Sequence, residues 1–224
     1  MPADAPTQTI SNIPEVLAPV CQPDADLVQA VTLSDVSWNV YVELRDNPAN
    51  RGLRMTYING VLEIMTIGGF HELISLMIHD FIMEWCIAKN IDVRPSGSMT
   101  LRRKALNCGL EADQSYYIQS EPAVRGLELR DVDHSPIPDL AIEVEHTLGA
   151  GRKLAGYASL GVAEVWRWRA ETLTVVRLQS GEYQEQSHSE ALKDFPLDRL
   201  RTALSQRQQQ SAMTLLRQFR QGLH

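Results

Sequence analysis

Residues 135–146 read SPIPDLAIEVEH, and the alternation inside this stretch decides how the chain folds. Successive side chains on a β-strand point to opposite faces. Leu140, Ile142 and Val144 therefore share one apolar face. Asp139, Ala141, Glu143 and Glu145 share the other, and three of those four are acids. A strand with one greasy face belongs to a sheet packed on a core; the acids opposite need a separate reason. Downstream, the spacing predicts a helix over residues 152–160 that Gly161 stops, glycine being favoured just past a helix end. VAEVWRW and LTVVRL then read as two further strands, and Ser180-Gly181 turns the chain toward EYQEQS.

Upstream, LRMTYINGVLEIM places Asn59-Gly60 between two apolar-rich runs. That dipeptide suits a two-residue hairpin turn, whose central positions need positive φ. Residues 53–58 and 61–65 should pair antiparallel. After Gly68-Gly69, apolar residues recur every three or four positions (Leu73, Ile74, Met77, Ile78, Phe81, Ile82, Trp85), the pattern of a long amphipathic helix. TLSDVSWNVYVELRDNP predicts a shorter helix capped by Ser34 or Asp35. IDVRPSGSMTLRRK and LEADQSYYIQ predict strands, residues 120–138 a loop, and residues 195–224 a terminal helix with a possible break in its glutamine-rich middle. The order is helix, hairpin, long helix, strands, helix, strands, helix: a mixed α/β or α+β domain. Three segments are expected: an arm over residues 1–30, rich in Pro, Ala and Asp; a main domain over 31–200; and a C-terminal helical extension over 201–224. Its Leu215, Leu216 and Phe219 form a stripe that either meets a partner or folds back.

With 224 residues, 44% hydrophobic and 22% charged, the chain has the composition of a globular protein. Residues 73–87 are too interrupted by Ser75, His79, Asp80 and Glu84 for a membrane span. The opening MPADAPTQTISNIPEV lacks the basic-then-apolar order of a signal peptide, so a cytoplasmic protein is expected. Cys21, Cys86 and Cys108 are too widely spaced to suggest a disulfide framework or a zinc site. A net charge of −7 argues against a general nucleic-acid coat, whose affinity comes from Lys and Arg. It leaves room for an enzyme that gathers acids around a metal.

Familiar catalytic motifs are absent. GAGRK lacks the spacing of a phosphate-binding loop, His71-Glu72 is not followed by a second histidine, and Ser98 lacks the flanking glycines of a hydrolase elbow. The acids remain. Carboxylates two apart on one strand face lie roughly 7 Å from each other, and Glu143 and Glu145 are such a pair. Asp113 lies on another predicted strand, and Lys153 opens the helix that follows Glu143. An acid on each of two strands with a nearby lysine is a minimal site for metal-dependent phosphodiester hydrolysis. Mg²⁺ prefers oxygen ligands and takes one or two carboxylates, with water and phosphate completing its shell.

LRMTYINGVLEIM…HE, GLEADQSYYIQ, PDLAIEVE and LAGYASLGVAEVWRW, in that order over residues 32–200, resemble the Uma family of restriction endonucleases within the PD-(D/E)XK nuclease superfamily. The resemblance implies a restriction-endonuclease-like core, a central mixed β-sheet flanked by helices, and a Mg²⁺ or Mn²⁺ site. It implies Asp113 and Glu143 as metal ligands, Lys153 as the displaced active-site lysine, and Glu72, at the start of the long helix, as a further ligand or helper. It implies a nucleic-acid substrate, DNA by superfamily, and a homodimer, since two cuts on a duplex need two sites related by a two-fold axis. The chain departs from the family in three places: Glu145 stands where the strand lysine is usual, Ala112 replaces proline before Asp113, and Thr66-Ile67 replaces Ser-Pro. An interaction module that keeps the fold without cutting is the alternative.

Several of these residues have ordinary readings as well. Asp139 can open the strand with a turn hydrogen bond, Glu145 can be a solvated acid, and Glu72 suits a first helical turn by charge alone. His71 and His79 read as helix residues facing loop or solvent. Arg102, Arg103 and Lys104 are either a solvated loop or a phosphate contact. Trp166 and Trp168 share a strand face and read as core or interface.

Overall fold

The computed structural model describes residues 29–66, 68–129, 133–145 and 150–223. Nearly all of the expected arm over residues 1–30 lies outside them. In chain order the elements are β1 (Ala30–Leu33), α1 (Trp38–Asp46), β2 (Leu53–Ile58), β3 (Val61–Thr66), α2 (Gly69–Lys89), β4 (Arg94–Pro95), β5 (Thr100–Arg103), β6 (Cys108–Glu111), β7 (Gln114–Tyr117), α3 (Glu121–Val124), β8 (Leu140–Glu145), α4 (Ala150–Leu160), β9 (Glu164–Arg169), β10 (Thr172–Gln179), β11 (Glu182–Gln186), α5 (Leu197–Ser205) and α6 (Ala212–Gln221). None of the described helices is long and apolar enough to cross a membrane.

The expected mixed sheet is present with six strands in the order β11-β10-β9-β8-β7-β4. Its one parallel pair among the described strands is β8 with β9, joined through α4. A second sheet of five antiparallel strands, β1-β3-β2-β6-β5, stands beside it. The β2–β3 hairpin turns at Asn59 and Gly60, both at positive φ, and pairs Ile58 with Val61.

β8 has the two faces its sequence requires. Leu140, Ile142 and Val144 enter a core built with Ile74, Ile78, Phe81 and Ile82 of α2 and with α5 and α6. Trp166 and Trp168 of β9 pack in the same core. The stripe Leu215 and Phe219 folds back onto it, so the helices after residue 197 complete the main core. On the other face Ala141 meets Tyr157 and Leu160 of α4 together with Leu101, Cys108 and Leu110 of the five-stranded sheet. α4 is thus wedged between the two sheets. A small residue permits that approach: a Cβ at Gly156 would stand 2.7 Å from Leu110 Cδ2 and 3.0 Å from Ile58 Cδ1. Gly161 ends α4 at positive φ, its N–H donating to Tyr157 and Ala158 carbonyls.

Two expectations are corrected. The first helix begins at Trp38, because Ser37, not Ser34 or Asp35, accepts the N–H of Val40. Residues 30–33 pair instead with β3. The segment LEADQSYYIQ is not one strand: β6 belongs to one sheet and β7 to the other, and Ala112-Asp113 is the corner between them. Glu111 anchors the first half, accepting from Arg45 Nη1, Met55 N and Thr100 Oγ1. Asp113 N donates to Ile142 O and starts the second.

Candidate active site

The corner sets Asp113 against the acid face of β8. Its Oδ2 accepts the Val144 N–H at 2.7 Å and lies 3.1 Å from His71 Nε2. The adjacent Glu143 is 3% exposed. Its Oε2 is 2.5 Å from Lys153 Nζ, and its Oε1 accepts the hydroxyl of Tyr157. Lys153 and Tyr157 are four apart on α4 and therefore share a helix face. Three chain segments thus converge: the corner brings Asp113, β8 brings Glu143, and α4 brings Lys153.

Burial in low dielectric favours the neutral form of a carboxyl group. For Glu143 that burial prevails, helped by the charge of Asp113 and opposed by Lys153, and its pKa is pushed up to about 7. For Asp113 burial also raises the pKa, but Lys153, His71 and the Val144 N–H outweigh it and hold the carboxyl below its usual range. Burial works against charge on Lys153 and His71 too, yet the two carboxylates prevail and raise both. Lys153 keeps its proton between them, so its ammonium donates hydrogen bonds.

Glu72 is placed otherwise than expected. Consecutive helical residues are about 100° apart, so the turn of α2 that sets His71 beside Asp113 aims Glu72 outward, where it is exposed. His71 was findable: it lies three, four and seven positions before the buried Ile74, Ser75 and Ile78, on the inward stripe of the helix. Tyr157 was findable by its spacing from Lys153. Glu145 is clamped by Arg167, whose Nε and Nη2 reach its two oxygens at 2.8 and 2.9 Å. Asp139 closes a turn, its Oδ2 accepting from Ile118 N, Ser120 N and Ser120 Oγ. Of the basic run, the buried Arg102 is paired with Asp46 and Asp133, and Arg103 donates to the Ser135 carbonyl. His79 Nδ1 lies 3.1 Å from the Tyr116 hydroxyl.

The donor set suits a hard cation. Two carboxylates are present, and the thiol of Cys108 is turned to the Gly156 carbonyl with its pKa pushed up to about 11 by burial. Among the described residues, no three His, Cys, Asp or Glu side chains form a cage by themselves. A cation held by Asp113 and Glu143 would complete its shell from water and phosphate, as Mg²⁺ ordinarily does.

The Uma2 family, described as "Putative restriction endonuclease", matches residues 38–208. Among solved structures, one described as "a putative nuclease belonging to DUF820" from Anabaena variabilis ATCC 29413 is similar at 17% identity, with a TM-score of 0.46, over 74% of this chain and 90% of that one. No curated protein matches the chain.

Proposed function

The chain belongs to the Uma2 restriction-endonuclease family, and on that premise we propose that it is a metal-dependent nuclease that hydrolyses phosphodiester bonds in DNA. The observation that carries this reading is the ion pair of Lys153 with buried Glu143, together with buried Asp113 near enough for its charge to act on both, from three separate segments. Asp113 and Glu143 would hold a Mg²⁺ or Mn²⁺ ion. When bound, the ion supplies a water of lowered pKa and neutralises charge developing on the phosphate. Lys153, kept cationic, donates to a phosphate oxygen or orients the attacking water. His71 fixes the rotamer of Asp113, as a hydrogen-bond partner of a metal ligand does. Tyr157 fixes Glu143 in the same way. Glu72, expected as a further ligand, faces outward and has no part in this scheme. The protein acts in the cytoplasm, and a homodimer presents two such sites to the two strands of a duplex.

A second reading, an interaction module that keeps the fold without cutting, is favoured by one feature: both oxygens of Glu143 are already engaged, by Lys153 and Tyr157. A cleavage assay separates the two. Plasmid, single-stranded DNA and RNA are incubated with the full chain, with Mg²⁺, with Mn²⁺ and with chelator. Cutting of DNA that needs the cation and disappears in Glu143→Ala is the expected result. An intact set of substrates under every condition, together with no cation binding by calorimetry, supports the module instead.

A further inference from the structure

Arg54 lies in the middle of β2, on the same face as Thr56 and Ile58 and opposite to Met55 and Tyr57, which pack under α1. Ile58 packs in the cluster that includes Tyr157 and Leu160, one of its methyl carbons close against Gly156. The α4-facing side of β2 is therefore the side that carries Arg54, and Gly156 is one turn from Lys153 on that helix. The positive charge of Arg54 acts on Lys153, which agrees with that placement. The guanidinium is half-buried, and its Nε is shut off from solvent with no hydrogen-bond partner among the described residues. Among the described residues Arg54 has no carboxylate at ion-pair distance, unlike Arg45, Arg102, Arg167 and Arg220, each of which does.

A guanidinium stays charged at any physiological pH, and a buried donor left unsatisfied costs free energy. Setting a second cation beside a lysine adds repulsion. An arrangement of that kind is relieved by an anion, and the planar fork of arginine fits two oxygens of one phosphate. We infer that Arg54 is a phosphate-binding residue, taking a backbone phosphate of the nucleic-acid strand next to the one held at Asp113, Glu143 and Lys153. The inference rests on the nuclease reading for the identity of the ligand. The ion pairs of the buried Arg45, Arg102 and Arg167 set them apart from Arg54, which an incoming strand can engage without first breaking an ion pair.

Two measurements on the full chain test it. In the first, the Arg54 Nε–H resonance of arginine-labelled protein, assigned through Arg54→Lys, is followed as inorganic phosphate is added without any divalent cation. A saturable shift of that resonance is expected. In the second, the affinity of Arg54→Gln for a short DNA duplex is measured against salt in Ca²⁺. Loss of one phosphate contact lowers the slope of log affinity against log salt by about one and weakens binding about tenfold. Arg54→Lys keeps the charge and so the slope. A resonance that phosphate leaves unmoved, or an unchanged slope in a variant that melts like the wild type, overturns the inference. If Arg54→Gln does not fold, the phosphate titration decides alone. That titration uses no nucleic acid and no cleavage, so it stands even if wild-type protein cuts nothing and the nuclease reading falls. Conversely, a wild type that cuts plasmid while its Arg54 signal ignores phosphate leaves the reading intact and removes Arg54 from it.

Discussion

Glu143 and Glu164 sit on adjacent strands of one sheet, 3% and 1% exposed, and point to opposite faces of it. Burial treats them alike; their neighbours do not. Glu164 accepts four hydrogen bonds, from Trp166 Nε1, Ser189 Oγ, Glu190 N and Ala191 N. Every donor is neutral, and two belong to the backbone. The group ties the segment after β11 to β9 and has nothing left to offer a ligand. Glu143 meets a lysine ammonium, a tyrosine hydroxyl and the charge of another carboxylate, and its pKa is pushed up to about 7, chiefly by burial. A buried acid among fixed neutral donors is a structural clamp. A buried acid set between a second carboxylate and a lysine ammonium is held near the balance between its charged and neutral forms.

Exchanging the two roles by mutation has the largest effects. Glu143→Ala should lower cleavage about a thousandfold or more, the scale on which removal of a charge-stabilising group acts, while its melting curve stays two-state and near wild type. Glu164→Leu should do the reverse. It orphans two backbone N–H groups, a hydroxyl and an indole, and costs about 3 kcal/mol in urea denaturation, with cleavage retained by whatever fraction is folded. If Glu164→Leu proves neutral for stability and Glu143→Ala unfolds the chain, the two acids have the opposite roles.

The next effect sharpens the comparison at the partner level. His71→Asn removes the ring that holds Asp113 and should weaken Mn²⁺ binding about 10- to 100-fold, read by calorimetry on the folded variant. Glu72→Gln, exposed one residue on, should leave that affinity unchanged. Gly156→Val tests whether α4 places Lys153. Its Cβ alone would crowd Leu110 and Ile58, and overpacking should cost about 2 kcal/mol and reduce cleavage beyond what the lost folded fraction explains.

The smallest effect lies far from the site. Glu84 is paired to Arg220 through two contacts, at 2.6 and 2.5 Å, which fasten α6 to α2. The hydrogen bonds to Arg220 lower the Glu84 pKa, with burial opposing. A carboxyl whose folded pKa is lowered stabilises the fold above its unfolded pKa and loses that contribution as pH falls through the folded value. Glu84→Gln should therefore lower stability slightly in the neutral region, converge with the wild type in acid, and so flatten the acid side of the stability–pH curve.

Those features of the fold that depend on local pattern were legible in the sequence. The alternation at residues 140–145, the Asn59-Gly60 turn, the periodicity of α2, the Gly161 stop and the break between α5 and α6 each have a signal within a few residues. β1 had none: its four residues are exposed and become a strand only by pairing with β3. The split of the strand carrying Asp113 into two sheets was equally hidden, because a corner is made by what each half pairs with. In the site, Asp113, Glu143 and Lys153 could be nominated from residue type and family blocks. That Glu72 faces out and His71 faces in follows from helical phase, which the stripe through Ile74 and Ile78 already contained. The clamp on Glu164 could not be foreseen, since its donors come from residues 166 and 189–191.

The most direct measurement is a crystal structure of the wild-type chain grown with Mn²⁺ and recorded at the manganese absorption edge. An anomalous peak in contact with the carboxylates of both Asp113 and Glu143, absent from Glu143→Ala crystals, is the result expected. A cation-saturated crystal with no peak there, and with Lys153 still seated on Glu143, would contradict the account.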